Sequence, residues 1–238
     1  MKNSLLALAA AALLAGISQA EEPAVPFEDP EVLKYAVSYP SGLSLGEGEL
    51  SARRETGSGD DAGNWAFEFR LKAAVPGFEA EDQYRSVATP ELCSLEFHKR
   101  SAHGKRVVNE KTTFDQDAKR AVRNTLDGGG SSEIPAPACA MDGLTFLYHL
   151  RRELSRGRIP PPQTVLFGAS YKVRLQHAGS ARVVAGSEVY EVDRLTATVT
   201  GPASESTFLV EISQDEARTP VRVTLPLEPG SFTLELVP

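Results

Sequence analysis

The sequence predicts a mainly β protein, a curved antiparallel sheet or partly open barrel with one main α-helix packed in its concavity. Three observations lead there. Short strand-like runs separated by Gly, Pro and Asp turns fill most of the chain after residue 33, which is the pattern of a meander. Trp65, Phe67, Phe69 and Leu71 alternate with Ala66, Glu68, Arg70 and Lys72, the period of a strand with one dry and one wet face. A single stretch, Asp142 to Gly157, reads as a helix, and its apolar arc covers about half the circumference, wider than a helix on a flat sheet needs. A bowed partner is expected.

The first twenty residues carry another signal. Lys2 supplies a positive start, Leu5 to Ile17 an apolar run, and Ser18-Gln19-Ala20 small residues at a cleavage position. Residues 1–20 are therefore expected to be a signal peptide, with the mature chain exported to the periplasm. The apolar run is too short and alanine-rich for a membrane span, and no later stretch is long enough for one. Without Lys2 the chain holds 24 basic against 32 acidic side chains, a formal net charge near −8. That balance gives no electrostatic reason to bind nucleic acid.

Residues 21–32, acidic and proline-bearing, read as a loose N-terminal arm, and residues 33–238 as one β-rich domain. Strands are expected over Leu33–Tyr39 and Leu43–Arg53, with Gly46 and Gly48 marking a bulge or bend in the second. Glu55–Asn64 is a polar turn, and its Asp60 and Asp61 lack the regular ligand spacing of a calcium loop. After the Trp65 strand come Leu92–Arg100 and Lys105–Phe114, then Lys119–Thr125. Cys93, Leu95 and Phe97 are expected to share a face. The turn at Ser101–Gly104 lies among Lys99, Arg100, His103, Lys105 and Arg106, a basic group that suits either a solvated tip or an anionic head group. Leu126–Pro137 reads as a flexible loop.

The helix is bounded by Asp142 as N-cap, Gly157 as a left-handed terminator, and Pro160 and Pro161 beyond. Leu147, Leu150 and Leu154 form its apolar stripe, flanked by Phe146, Leu144 and Tyr148. Arg151 interrupts this arc and must meet a carboxylate or reach water. It is either a paired anchor between helix and sheet or an anion clamp at a cavity mouth. Beyond the helix, strands are expected over Thr164–Phe167, Tyr171–His177, Arg182–Ala185, Glu188–Thr200, Ser206–Ser213, Pro220–Leu225 and Phe232–Val237.

Two cysteines occur, Cys93 and Cys139. In an oxidising compartment an even pair favours a bridge, which at this loop length contributes on the order of 3–4 kcal/mol. The alternative is a reactive thiol at Cys139, ahead of a helix N-terminus. The chain has no GxSxG elbow, HExxH motif, Walker loop or dinucleotide fingerprint. Its four histidines, His98, His103, His149 and His177, form no metal-binding spacing. No catalytic residue, metal site or cofactor is nominated.

DGLTFLYHLR (142–151) with GRIP (157–160), VLFGASYKV (165–173), SQDEARTPVRV (213–223) and GSFTLEL (230–236) resemble the exported bacterial family filed as domain of unknown function 3108. YAVSYPSGLSLGEGEL (35–50) is similar to that family's opening strands. The resemblance implies a β-rich cell-envelope protein of Gram-negative-type bacteria with no established activity, and it transfers no functional residue.

Two roles fit these readings. One is a non-catalytic periplasmic binding or carrier protein for an apolar or lipidic ligand, with Arg151, Tyr148, Trp65 and Phe67 as the expected ligand contacts. The other is an envelope assembly or scaffolding protein that meets a protein partner along exposed strand edges.

Overall fold

A computed structural model describes residues 25–39, 41–55, 63–227 and 230–237. The expected signal peptide and the Asp60-Asp61 turn lie outside the described residues. The chain runs β1 (Glu31–Ser38), β2 (Ser44–Arg54), β3 (Trp65–Val75), β4 (Phe78–Ala88), β5 (Ser94–His103), β6 (Arg106–Asp115), β7 (Arg120–Thr125) and β8 (Ser131–Pro135). A two-residue β9 (Met141–Asp142) leads into α1 (Gly143–Ser155). Then follow β10 (Gln163–Leu166), β11 (Ser170–Ala185), β12 (Glu188–Thr200), β13 (Glu205–Ser213), β14 (Pro220–Leu227) and β15 (Gly230–Val237).

These strands form one sheet in the order β8-β7-β6-β5-β4-β3-β2-β1-β15-β14-β13-β12-β11-β10-β9. Nearly every pair is a hairpin between consecutive strands. The exceptions are the short parallel contact of β9 with β10 and a seam in the middle, where β1 pairs with β15 and Lys34 lies opposite Val237. The sheet bends until its far parts touch. Arg123 of β7 donates to the Gly168 carbonyl in the β10–β11 turn, and the Ser94 amide at the start of β5 donates to the Ala140 carbonyl at 2.9 Å. Phe167 from the same turn packs its ring on Tyr84 and Phe97. The result is a deeply curved, nearly closed sheet around α1.

Bulges help to bend it. Val37 pairs with Gly46 but Ser38 with Ser44, leaving Leu45 as the extra residue. Gly46 is required there. A Cβ would collide with the Lys72 carbonyl oxygen and lie 2.7 Å from the Ala73 Cα, and backbone cannot step aside as a side chain can. Gly46→Ala is expected to cost about 1–3 kcal/mol, the usual scale of overpacking, read as a lower urea midpoint with an unchanged slope.

The helix begins as its sequence dictates. Asp142 Oδ1 accepts from the Leu144 and Thr145 amides at 2.8 and 3.1 Å. Its Oδ2 accepts from the hydroxyls of Ser86, Ser94 and Thr145, which pins the helix start to β4 and β5. Burial pushes the Asp142 carboxyl above its ordinary range, with those hydroxyls and the Thr145 amide pulling the other way. At the other end Gly157 takes φ +70°, and its amide and that of Arg158 close on the Leu154 and Glu153 carbonyls at 2.9 Å. The helix is buried on more sides than its stripe implies: Thr145 and Arg152, outside that stripe, are buried.

Four expectations need correction. β4 was not anticipated, nor was β8, which takes residues out of the expected flexible loop. Cys93, Leu95 and Phe97 do not share a face, because Val87 pairs with Glu96 but Ala88 with Ser94; the bulge buries Ser94 with Phe97 instead. The arm is not loose from residue 25 onward. Phe27 is buried, edge-on to Trp65 at 5.0 Å and Tyr148 at 4.7 Å, and Glu31 opens β1. Cys93 and Cys139 are joined, tying the β4–β5 turn to the segment that enters α1.

Candidate functional site

Each central strand divides its inward face between two ends of the concavity. The first half of β3 and the second half of β4 lie against α1. There Tyr148 stacks on Phe67 at 4.1 Å and Phe67 stacks on Trp65 at 6.0 Å. Arg151 is fully buried beside them. Its guanidinium donates to both Glu31 oxygens at 2.6 and 2.7 Å and to the Ala217 carbonyl at 2.9 and 3.2 Å, and it lies over the Phe27 and Tyr148 rings. Of its two readings, the geometry is that of the paired anchor. Arg151, Tyr148, Trp65 and Phe67 are thus brought together, but packed against one another and against Phe27. None of the four lines the open cavity of this sheet.

That cavity occupies the other end. The second half of β3, the first half of β4, and the ends of β1, β14 and β15 enclose about 560 Å³, within the range of roughly 300–1,000 Å³ typical of small-molecule pockets. Its wall is mostly apolar, with Val37, Leu45, Leu71, Val75, Phe232 and Leu234 among the contributors. Tyr39 packs on Phe232 at 4.9 Å, holding one side of the wall. Asp82 and His103 supply polar groups. His103 Nε2 lies 3.0 and 3.1 Å from the two Asp82 oxygens; the His103 side chain is 46% exposed and that of Asp82 13%. The pair therefore stands at the rim, with the carboxylate on its inner side.

Between the two ends, β4 to β7 carry further polar groups. Tyr84 shares a hydrogen bond with Ser101 at 3.2 Å, and burial, reinforced by the Asp82 carboxylate, raises its phenol well above the ordinary value. Lys99 lies over the Phe167 ring at 4.6 Å; burial lowers its pKa while Glu110 opposes the shift. Arg123 faces Glu110 at 3.7 Å.

Ser101, His103 and Asp82 are residue types that elsewhere make a hydrolytic triad. Here the Ser101 hydroxyl is engaged with Tyr84, and His103 bonds Asp82 and no hydroxyl among the described residues. His98, His149 and His177 are apart, beside Asn109, Arg152 and Asp193 respectively. Burial, with Arg152 alongside, lowers the His149 pKa. Among the described residues no group of three His, Cys, Asp or Glu side chains could hold a metal ion, and no helix is long and apolar enough to cross a membrane.

Asp82 and Tyr84 were missed because β4 itself was missed. Its inward residues Ala80, Asp82, Tyr84 and Ser86 include only one large apolar side chain, so their alternation with the outward Glu79, Glu81, Gln83 and Arg85 is weak. The cavity as a whole left no signal either, because its wall on β2–β4 is completed by β14 and β15 from the other end of the chain.

The family model described as Protein of unknown function (DUF3108) matches residues 34–237. No curated protein matches the chain. A solved structure of similar fold is the crystal structure of a beta-barrel-like protein of domain of unknown function DUF1849 from Brucella abortus. It has a TM-score of 0.62 at 10% identity, covering 90% of this chain and 98% of that one. At that identity the likeness concerns the fold alone.

Proposed function

The chain belongs to the family of proteins of unknown function DUF3108, and from that premise we propose that it is a non-catalytic binding or carrier protein of the periplasm. Its ligand is apolar or lipidic and sits in the open end of the curved sheet, with residues 1–20 directing export. The observation that carries this reading is the cavity itself. A folded chain has every reason to fill such a space with side chains, as it does around Phe67 and Tyr148, yet here about 560 Å³ lined by Leu71, Phe232 and their neighbours stays open. The assembly or scaffolding reading has less support, since the sheet ends on β8, five residues long and closed by Pro135, and on the two-residue β9. Short, proline-marked edges are poor templates for pairing.

The test is occupancy. Protein purified from an envelope fraction should carry bound lipid in native mass spectrometry, and the stripped protein should take up an apolar fluorescent probe. Ala73→Trp, placed on the cavity wall, should abolish uptake while leaving the thermal midpoint within a few degrees. Empty protein that takes up no probe would end the carrier reading, as would uptake unaffected by Ala73→Trp.

A further inference from the structure

The rim pair gives the ligand a head group. Resting on the carrier reading, we propose that the bound molecule is a single-chain amphipath whose head donates hydrogen bonds to Asp82, either a hydroxyl or an ammonium, while its tail fills the cavity toward Phe232 and Leu234.

The argument starts from Asp82. An ionised carboxylate offers about four acceptor sites, and His103 approaches both oxygens through one nitrogen, Nε2. That single N–H, with the neighbouring Tyr84 phenol, leaves acceptor capacity over. Asp82 is mostly buried and lines the cavity, so the unused capacity is on a wall that is otherwise largely apolar. A desolvated acceptor of this kind is costly unless something donates to it. The cross-strand geometry fixes the pair there: on β4 and β5, Asp82 lies opposite Ser101, and His103 opposite Ala80.

The one carboxylate in the cavity wall, Asp82, favours a donor over an anion. Of the basic residues clustered at this turn, His103 is taken up by Asp82, and Lys99 lies over the Phe167 ring with Glu110 and Asp82 as its facing carboxylates. Lys72 is matched by Glu81 at 3.8 Å, and Glu79 stands beside it on β4. A fatty-acid carboxylate placed at Asp82 would meet like charge. An ammonium or hydroxyl would meet an acceptor, and the Phe78, Tyr39 and Phe232 rings that also line the cavity offer faces that tolerate a cation. The position suits the division of the ligand as well. His103 marks the solvent side, so the head stays near water and only the chain is dried.

The experiment displaces an apolar fluorescent probe from the stripped full-length protein at neutral pH, with dodecylamine and laurate below their critical micelle concentrations and dodecanol below its solubility limit. Dodecylamine or dodecanol should compete at least about tenfold better than laurate, the scale of one hydrogen bond to a charged group. The better of the two identifies the head as ammonium or hydroxyl. Asp82→Asn should weaken competition by dodecylamine or dodecanol more than by laurate and so collapse that preference, and His103→Gln, which keeps a donor for Asp82, should preserve it. Laurate competing as well as the other two, or a preference unchanged in Asp82→Asn, overturns the head-group assignment alone. Failure of the wild-type protein to take up the probe overturns the carrier reading instead.

Discussion

Arg151→Met should cost about 3–5 kcal/mol of folding stability, the range for removing one member of a buried ion pair. The loss comes from what remains. Glu31 would be left without its cation at a site where Arg151 was fully enclosed, with no second cation within ion-pair distance among the described residues. The Ala217 carbonyl would lose both of its guanidinium donors. The double variant Arg151→Met/Glu31→Leu separates charge from packing. If the uncompensated carboxylate is the cause, it should recover most of the loss, because an apolar pair of similar volume is often as stable as the ion pair. Urea midpoints at constant slope are the measurement. A shift below about 1 kcal/mol in the single variant, typical of exposed pairs, would mean that water reaches the site. The same variant tests the anchor against the discarded clamp, since a clamp would lose ligand and keep its midpoint.

Opening the disulfide is the other large effect. Cys93 and Cys139 are 46 residues apart, and a bridge over such a loop restricts the unfolded chain by about 4 kcal/mol on the loop-entropy account. Cys93→Ser/Cys139→Ser, or reduction of the wild-type protein, should lower the urea midpoint accordingly. Hydrogen exchange should show the loss concentrated at the entrance to α1. That segment is also held by Gln116, whose side chain accepts from the Ala140 amide at 2.9 Å and donates to the Ala140 carbonyl at 3.2 Å. These bonds are expected to keep the reduced protein folded in the absence of denaturant. An unchanged midpoint on reduction would show that the folded core alone fixes the helix entrance.

How much of this could be read beforehand depends on whether the signal was local. The α1 boundaries were legible because Asp142 and Gly157 act on their own neighbours, and β3 was legible because Trp65, Phe67, Phe69 and Leu71 alternate. Arg151 announced that it needed a partner, but Glu31 lies 120 residues away, in a stretch with no pattern. Phe27 looked like part of a free arm for the same reason; one buried ring makes no periodicity. The site was the least legible part. Its polar residues weaken the alternation that would have revealed β4, and its apolar wall is assembled from both ends of the chain.

The pairing of the first strand with the last has a kinetic consequence. Five residue pairs, from Lys34–Val237 to Ser38–Thr233, join segments separated by nearly the whole domain, and contacts of such long range form slowly. Val37 on one side of that join and Leu234 on the other both line the cavity. A polypeptide released N-terminus first can fold the hairpins β2 to β7 as they emerge, but its cavity has no complete wall until its final strand has arrived and docked. Under the carrier role proposed above, loading would come at the end of biogenesis.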